Sequence, residues 1–240
     1  MRGDDSTRPT LRAVAEPSAP TDTAVIVPVK AFDVAKARLA TVLDDASRAE
    51  LARTMATRVL MAAAPLHVAV VCDDDTVSAW ATDAGAEVVW TPGLGLDGAV
   101  SAGLAAMADR GFTRVVVAHS DLPFATALAS LVSLLDSLDA QVLLVPDRHL
   151  DGTNVAVVPT DAGFRFAYGP ASFASHKAEA HRLGLRVLVH ESEALGWDVD
   201  TPADLDPPAH LGVVPGPGSS LGRTPRRHLT RTAEDAESRT

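Results

Sequence analysis

Val115-Val116-Val117-Ala118-His119-Ser120-Asp121-Leu122-Pro123 is the stretch on which the fold turns. Four apolar residues in a row, three of them β-branched, suit a strand covered on both faces, because a strand with one face in water alternates polar and apolar side chains. The run stops abruptly at a histidine, a hydroxyl and a carboxylate, with a proline soon after. That places Asp121 just beyond the carboxyl end of a buried strand, where open α/β sheets hold their ligands.

The same pattern recurs on both sides of this segment. Ala24–Val29, Val68–Val71, Glu87–Trp90, Val142–Val145, Val155–Val158 and Val187–Val189 read as short buried strands. Between them, Ala52, Met55, Ala56, Val59, Leu60 and Ala63 recur at helical spacing, as do Val100, Leu104, Met107 and Ala108. Thr76–Ala84, Pro123–Leu138 and a segment near Phe173–Leu183 complete the helices. Strands alternating with amphipathic helices predict a three-layer α/β fold around a mostly parallel sheet. With 47% hydrophobic but only 4% aromatic residues, Val, Leu and Ala must fill the core, and Ala-rich helices can lie close to a sheet.

Composition narrows the function. A formal charge of −10 over 240 residues argues against a general nucleic-acid binder, which needs an excess of basic surface. Cys72 is the only cysteine, which excludes an intrachain disulfide or a cysteine metal cluster and suits a reducing cytoplasm. No signal peptide and no membrane span is visible. Residues 1–22, rich in Pro, Thr, Ser and charge, are expected to be a disordered leader. Residues 23–206 form the expected domain, and residues 207–240, with Pro207-Pro208 and Pro215-Gly216-Pro217-Gly218, the expected linker and tail. Arg223, Arg226, Arg227 and Arg231 then lie in a solvated tail.

Several loops carry residues suited to chemistry. Lys30, Lys36 and Arg38 follow the first strand and could wrap a triphosphate, although in isolation a solvated basic turn explains them better. Gly93-Leu94-Gly95-Leu96-Asp97-Gly98-Ala99 opens a helix, where Asp97 either caps the helix or receives a base or ribose that approaches the glycines. Asp121 and Pro123 also fit a helix start. Capping explains Thr201, Pro202 and Asp204 but not Asp198 and Asp200, which in an extended stretch share one face opposite Val199. Two such carboxylates are either solvated surface acids or the ligands of a cation, and magnesium is the natural one. Gly169 and Ser172 precede a helix whose free N–H groups could hold a phosphate or carboxylate. Asp73-Asp74-Asp75 reads as a helix cap, and His176 and His181 as helix-surface residues.

Pro28-Val29-Lys30, Lys36-Ala37-Arg38-Leu39, Ser120-Asp121-Leu122-Pro123, Asp151-Gly152-Thr153-Asn154, Tyr168-Gly169-Pro170-Ala171-Ser172-Phe173 with His176, and Asp198-Val199-Asp200-Thr201-Pro202 stand in an informative order. Together they resemble the guanylyltransferases of deazaflavin coenzyme (F-420) biosynthesis, from about Ala24 to Leu205. The resemblance implies a nucleotide-diphosphosugar-transferase-like fold and transfer of GMP from GTP to a small phosphorylated three-carbon acid, with release of pyrophosphate. It implies magnesium at Asp121, Asp198 and Asp200, and the acid at Thr153, Gly169 and Ser172. Lys30, Lys36 and Arg38 would face the triphosphate, with Asp97 and Gly98 toward the nucleoside, and Lys36 and Asp121 would act at the reacting phosphorus. Asp97 stands where the family often has Asn. Phosphoenolpyruvate is the expected acid, because the Ala- and Arg-rich chain has a bacterial composition; 2-phospho-L-lactate and 3-phosphoglycerate are the alternatives. A homodimer and hand-over of product to the next enzyme are further expectations. A cytidylyl- or molybdopterin-type transferase, a glycosyltransferase using Asp198-Val199-Asp200, and a silent nucleotide-binding module are the competing readings.

Overall fold

The apolar runs become seven strands of one sheet. A computed structural model describes residues 22–216. The strands are β1 (Thr23–Pro28), β2 (His67–Cys72), β3 (Glu87–Trp90), β4 (Arg114–Ala118), β5 (Val142–Pro146), β6 (Thr153–Pro159) and β7 (Val187–Val189). They lie in the order β3-β2-β1-β4-β6-β5-β7. All neighbours are parallel except β6, which runs antiparallel to both β4 and β5.

Helices α1 (Asp45–Ala63), α2 (Asp75–Asp83), α3 (Gly95–Asp109), α4 (Ala129–Ser137), α5 (Ser172–Arg182) and the single turn α6 (Glu193–Gly196) cover the sheet. Residues of α1, α2, α4 and α6 pack with Val25, Val27, Val70, Val116 and Val155 on one face. On the other, α3 and α5 pack with Ile26, Val71, Val115, Val117 and Ala156. This is the three-layer arrangement expected. Asp74 caps α2 by accepting from Val77 N at 2.9 Å, as read from the sequence. Among the described residues, no helix is long and apolar enough to cross a membrane.

Two boundaries differ from expectation. The helix expected from Pro123 begins only at Ala129, because Phe124, Ala125 and Leu128 turn into the core from an irregular segment in which Ala127 has φ 42°. Asp121 therefore caps no helix. The core also continues past residue 206, since Val214 is buried in a cluster with Leu39, Leu51, Met55, Phe124 and Val199. The expected leader, apart from residue 22, and Arg223, Arg226, Arg227 and Arg231 of the tail lie outside the described residues.

Gly103 shows how closely α3 approaches the sheet. A Cβ there would stand 2.7 Å from Val71 Cγ1 and 3.1 Å from Ile26 Cγ2, both on stiff β-branched side chains. Gly103→Ala is therefore expected to destabilise the fold by about 1–3 kcal/mol, despite the better helix propensity of Ala. Denaturant unfolding checks this, and a stabilised variant would refute the close approach.

Candidate active site

The carboxyl ends of β1 and β4 and the amino end of β6 meet at one edge of the sheet. The antiparallel register places Ala118 opposite Val155, and His119 N donates to Asn154 O at 3.0 Å. Asp121, three residues past β4, thus shares this edge with Thr153 and Asn154. The acidic stretch at 198–200 docks onto the same loop, with Val199 N donating to the Asp121 carbonyl at 3.3 Å. Val199 is fully buried, which leaves Asp198 and Asp200 on the other side of the chain.

Lys36 joins the two acidic segments. Its Nζ donates to Asp121 Oδ2 at 2.6 Å and to Asp200 Oδ1 at 3.0 Å. Lys36 has φ 56°, a left-handed conformation that costs a non-glycine residue about 1–2 kcal/mol. The short 3-10 turn Ala37–Leu39 holds it there, with Leu39 fully buried and its N–H bonded to the Lys36 carbonyl at 2.9 Å. Sequence reasoning aimed Lys36 at phosphates; in this structure its ammonium stands between two carboxylates.

A second layer fixes the loop. Asp204 accepts from Asp200 N at 2.8 Å and from Thr201 N at 2.6 Å, the second bond belonging to a capping box at the position where the sequence reads as a helix cap. Arg148 donates to Asp204 and, at 3.2 Å, to the Asp198 carbonyl, while its guanidinium lies 4.3 Å from the Trp197 ring centre. Nothing in the sequence around Arg148 marked it. The guanidinium also approaches the Asp198 carboxylate at 3.8 Å, and Arg38, largely exposed, reaches Asp200 only at 3.9 Å.

The charges do not balance locally. Burial works against the Lys36 ammonium, yet Asp121 and Asp200 outweigh it and hold its pKa above the ordinary value. Burial likewise raises Asp121, but Lys36 more than offsets that and keeps it below the usual carboxylate range. Asp198 has no cation so close, Arg148 standing 3.8 Å away, and burial, then Asp121 and Asp200, push it up to about 6. Among the described residues, Asp121 Oδ1 is buried with no hydrogen-bond partner. An orphaned carboxylate oxygen beside an acid held near 6 fits a divalent cation, and magnesium is commonly held by one or two carboxylates completed by substrate phosphates. The protein alone makes no cage, since among the described residues no three His, Cys or carboxylate groups form a metal-binding cluster.

A cavity of about 490 Å³ opens beside these acids, lined by Lys30, Lys36, Cys72, Leu96, His119 and Asp121 among others. Its size suits a small-molecule site. Asp97 stands outside the lining, and its carboxylate accepts from Tyr168 N at 2.8 Å. It neither caps α3, whose N-cap is Leu94, nor points a free oxygen pair at the cavity; it ties the start of α3 to the loop before α5. Gly98 lies in the first turn of α3, packed against Leu94.

Thr153 and Ser172 come together on the far side of His119, where Thr153 N donates to Ser172 Oγ at 3.0 Å. Gly169, at φ 118°, turns the chain into α5, and its carbonyl accepts from Ser172 N at 3.1 Å. The N–H groups expected to be free for an anion are largely used: Ala171 N donates to the Asp151 carboxylate at 3.1 Å and Phe173 N to the Asp151 carbonyl at 3.0 Å. The hydroxyls of Thr153 and Ser172 remain, each on a residue only 2% exposed and outside the cavity lining. His176, expected on the helix surface, is fully buried, with Nδ1 2.9 Å from Thr153 Oγ1. A file of rings, His119, Tyr168 and His176, at centroid spacings of 4.9 Å, leads from the cavity to Thr153.

Comparisons with known proteins give the chain its relatives. The chain is 34% identical over 190 residues to the phosphoenolpyruvate guanylyltransferase of Sphaerobacter thermophilus, covering 77% of this chain and 91% of that one. It is 32% identical over 187 residues to the 2-phospho-L-lactate guanylyltransferase of Methanothermobacter thermautotrophicus, covering 76% and 82%. In structure it is similar to a putative nucleotide-diphospho-sugar transferase from Desulfovibrio desulfuricans G20, with a TM-score of 0.61, 22% identity, and 76% and 84% of the two chains covered. That likeness speaks for the fold. A model of the family described as "Guanylyl transferase CofC like" matches residues 23–207, and the chain belongs to this family.

Proposed function

We propose that this protein transfers GMP from GTP to phosphoenolpyruvate, giving enolpyruvoyl-diphospho-guanosine and pyrophosphate, on the route to coenzyme F-420. The observation that carries the reading is the junction of Asp121, Lys36 and Asp200, with Asp198 nearby, at the wall of a cavity large enough for a nucleoside.

The chemistry asks for positioning and charge rather than a base. A phosphate oxygen of the acid, already ionised near neutral pH, forms a bond to the α-phosphorus of GTP as the bond to the β-phosphate oxygen breaks and pyrophosphate departs. No proton has to be removed. Lys30 and Arg38 face the outgoing phosphates, and Lys36, tethered by two acids, stands at the point of transfer as a fixed positive charge. Asp121, Asp198 and Asp200, which form no closed cluster by themselves, would hold magnesium only together with the substrate phosphates, and the ion when bound supplies charge neutralisation of those phosphates. Thr153, Gly169 and Ser172 receive the three-carbon acid. The first turn of α3, from Gly95 to Gly98, faces the nucleoside, and Asp97 holds that turn against the acid-binding loop.

Phosphoenolpyruvate is preferred over 2-phospho-L-lactate because the bacterial relative carries that name. Incubation of pure protein with GTP, magnesium and each of phosphoenolpyruvate, 2-phospho-L-lactate and 3-phosphoglycerate tests the proposal. Pyrophosphate release fastest with phosphoenolpyruvate is expected. No release with any acid, or faster release with CTP than with GTP, would overturn it.

A further inference from the structure

We propose that His176 is a positioning residue that turns the Thr153 hydroxyl into an obligate donor, so that Thr153 and Ser172 together present two hydroxyl protons to one oxyanion of the acid substrate. The inference rests on the proposed role of Thr153 and Ser172 in binding that acid.

The hydrogen bonds fix the tautomer. Ala167 N donates to His176 Nε2 at 3.0 Å, and a ring nitrogen that accepts carries no proton. A neutral ring must then carry its proton on Nδ1, and Nδ1 faces Thr153 Oγ1 at 2.9 Å. The imidazole therefore donates and the threonine oxygen accepts. Burial, followed by the neighbouring His119, pushes the His176 pKa down to about 4 against the pull of Asp97 and Glu179, so the ring is neutral across the physiological range. Its orientation is held by aromatic walls, with Tyr168 at 4.9 Å and Phe164 and Phe166 each at 5.9 Å between ring centres.

The consequence falls on the two hydroxyls. The Thr153 proton cannot point back at the imidazole, because Nδ1 already carries one. Ser172 Oγ accepts from Thr153 N at 3.0 Å, which leaves the serine proton directed elsewhere. Among the described residues, no protein acceptor takes either hydroxyl proton. Two adjacent buried donors suit a carboxylate or phosphate oxygen, which accepts from both, and disfavour a ligand group that itself must donate. The neutral imidazole suits this place because it accepts from the Ala167 N–H with one nitrogen and donates to Thr153 with the other.

Steady-state kinetics of guanylyl transfer separate this role from simple packing. His176→Asn keeps an amide donor near the Nδ1 position, whereas His176→Gln carries its amide nitrogen to the Nε2 position and leaves Thr153 without its donor. Gln is expected to raise KM for the acid about tenfold, the worth of one hydrogen bond, with KM for GTP within about twofold of wild type. Asn is expected to recover most of that loss. In a Thr153→Val background, His176→Gln should add nothing further. Equal effects of Asn and Gln, equal rises in both KM values, or additive losses with Thr153→Val would overturn the inference while leaving the transferase reading intact. Wild-type protein without turnover on any three-carbon phosphate would overturn both.

Discussion

Asp121→Asn is expected to lower guanylyl transfer at least about a thousandfold, a loss at the upper end of what one preorganised electrostatic group supplies. Asn has nearly the same shape, so the loop it sits in should persist, with its carbonyl still bonded to Val199 N. What disappears is charge. Lys36 keeps the Asp121 carboxylate below the usual carboxylate range, and among the described residues its second oxygen is buried without a partner. With Asn in place, the Lys36 ammonium keeps only Asp200 as a charged partner, and the side chain at position 121 becomes a neutral amide. Raising magnesium cannot restore a missing negative charge, so the loss should persist at every concentration. Circular dichroism would establish that the variant is folded, and pyrophosphate release would measure the loss. Retention of more than about a tenth of wild-type turnover, far above what loss of a group of this kind leaves, would remove Asp121 from the reacting centre.

Asp198→Asn is expected to stabilise the folded protein at neutral pH while disabling transfer. The folded state holds Asp198 near 6 rather than at its ordinary 3.8, through burial and the proximity of Asp121 and Asp200. Between those values the folded protein binds a proton that the unfolded chain has released. Stability therefore falls as pH rises from about 4 to about 6, and above that the full penalty is present. Its size is about 2–3 kcal/mol, at about 1.4 kcal/mol for each pH unit between the two values. Asparagine removes the penalty and can still accept from Asn154 Nδ2, which lies 3.5 Å from the native carboxylate. The variant should thus melt several degrees above wild type at pH 7.5, with the gap closing toward pH 4. A variant less stable than wild type at both pH values would contradict the charge imbalance. A stabilising substitution that abolishes activity is what a site built to receive a cation should show.

The layered fold was readable because each buried strand is a short valine-rich run and each helix carries apolar residues at helical spacing. Strand direction was less so, since an apolar run carries no arrow. Loop length did carry the signal for β6. Only residues 147–152 separate it from β5, too few for the crossover that a parallel neighbour requires. That reversal matters to the site, because it delivers Thr153 and Asn154 to the edge where β4 releases Asp121. Asp121 and Lys36 were visible beyond strand ends, and Asp198 and Asp200 as one face of an extended stretch, but not their pairing. The sequence motif around Lys36 pointed to phosphates, and only its left-handed backbone and the anchor at Leu39 turn it onto Asp121 and Asp200. His119, Arg148 and His176 were missed because a single polar residue on a helix, turn or strand end gives no sign of whether its neighbours bury it. Asp97 misled for a related reason: a carboxylate in the first turn of a helix reads as a cap, while its partner, Tyr168 N, lies on another loop.

The central claim is that Asp121 and Asp198 meet a divalent ion and the nucleotide at one point beside Lys36. Electron paramagnetic resonance of Mn2+, used in place of magnesium with a GTP analogue uncleavable between its α and β phosphates, tests this most directly. The account predicts protein-bound Mn2+ in the wild type and its loss, in folded protein, on Asp121→Asn. Equal Mn2+ binding by the two proteins would contradict it.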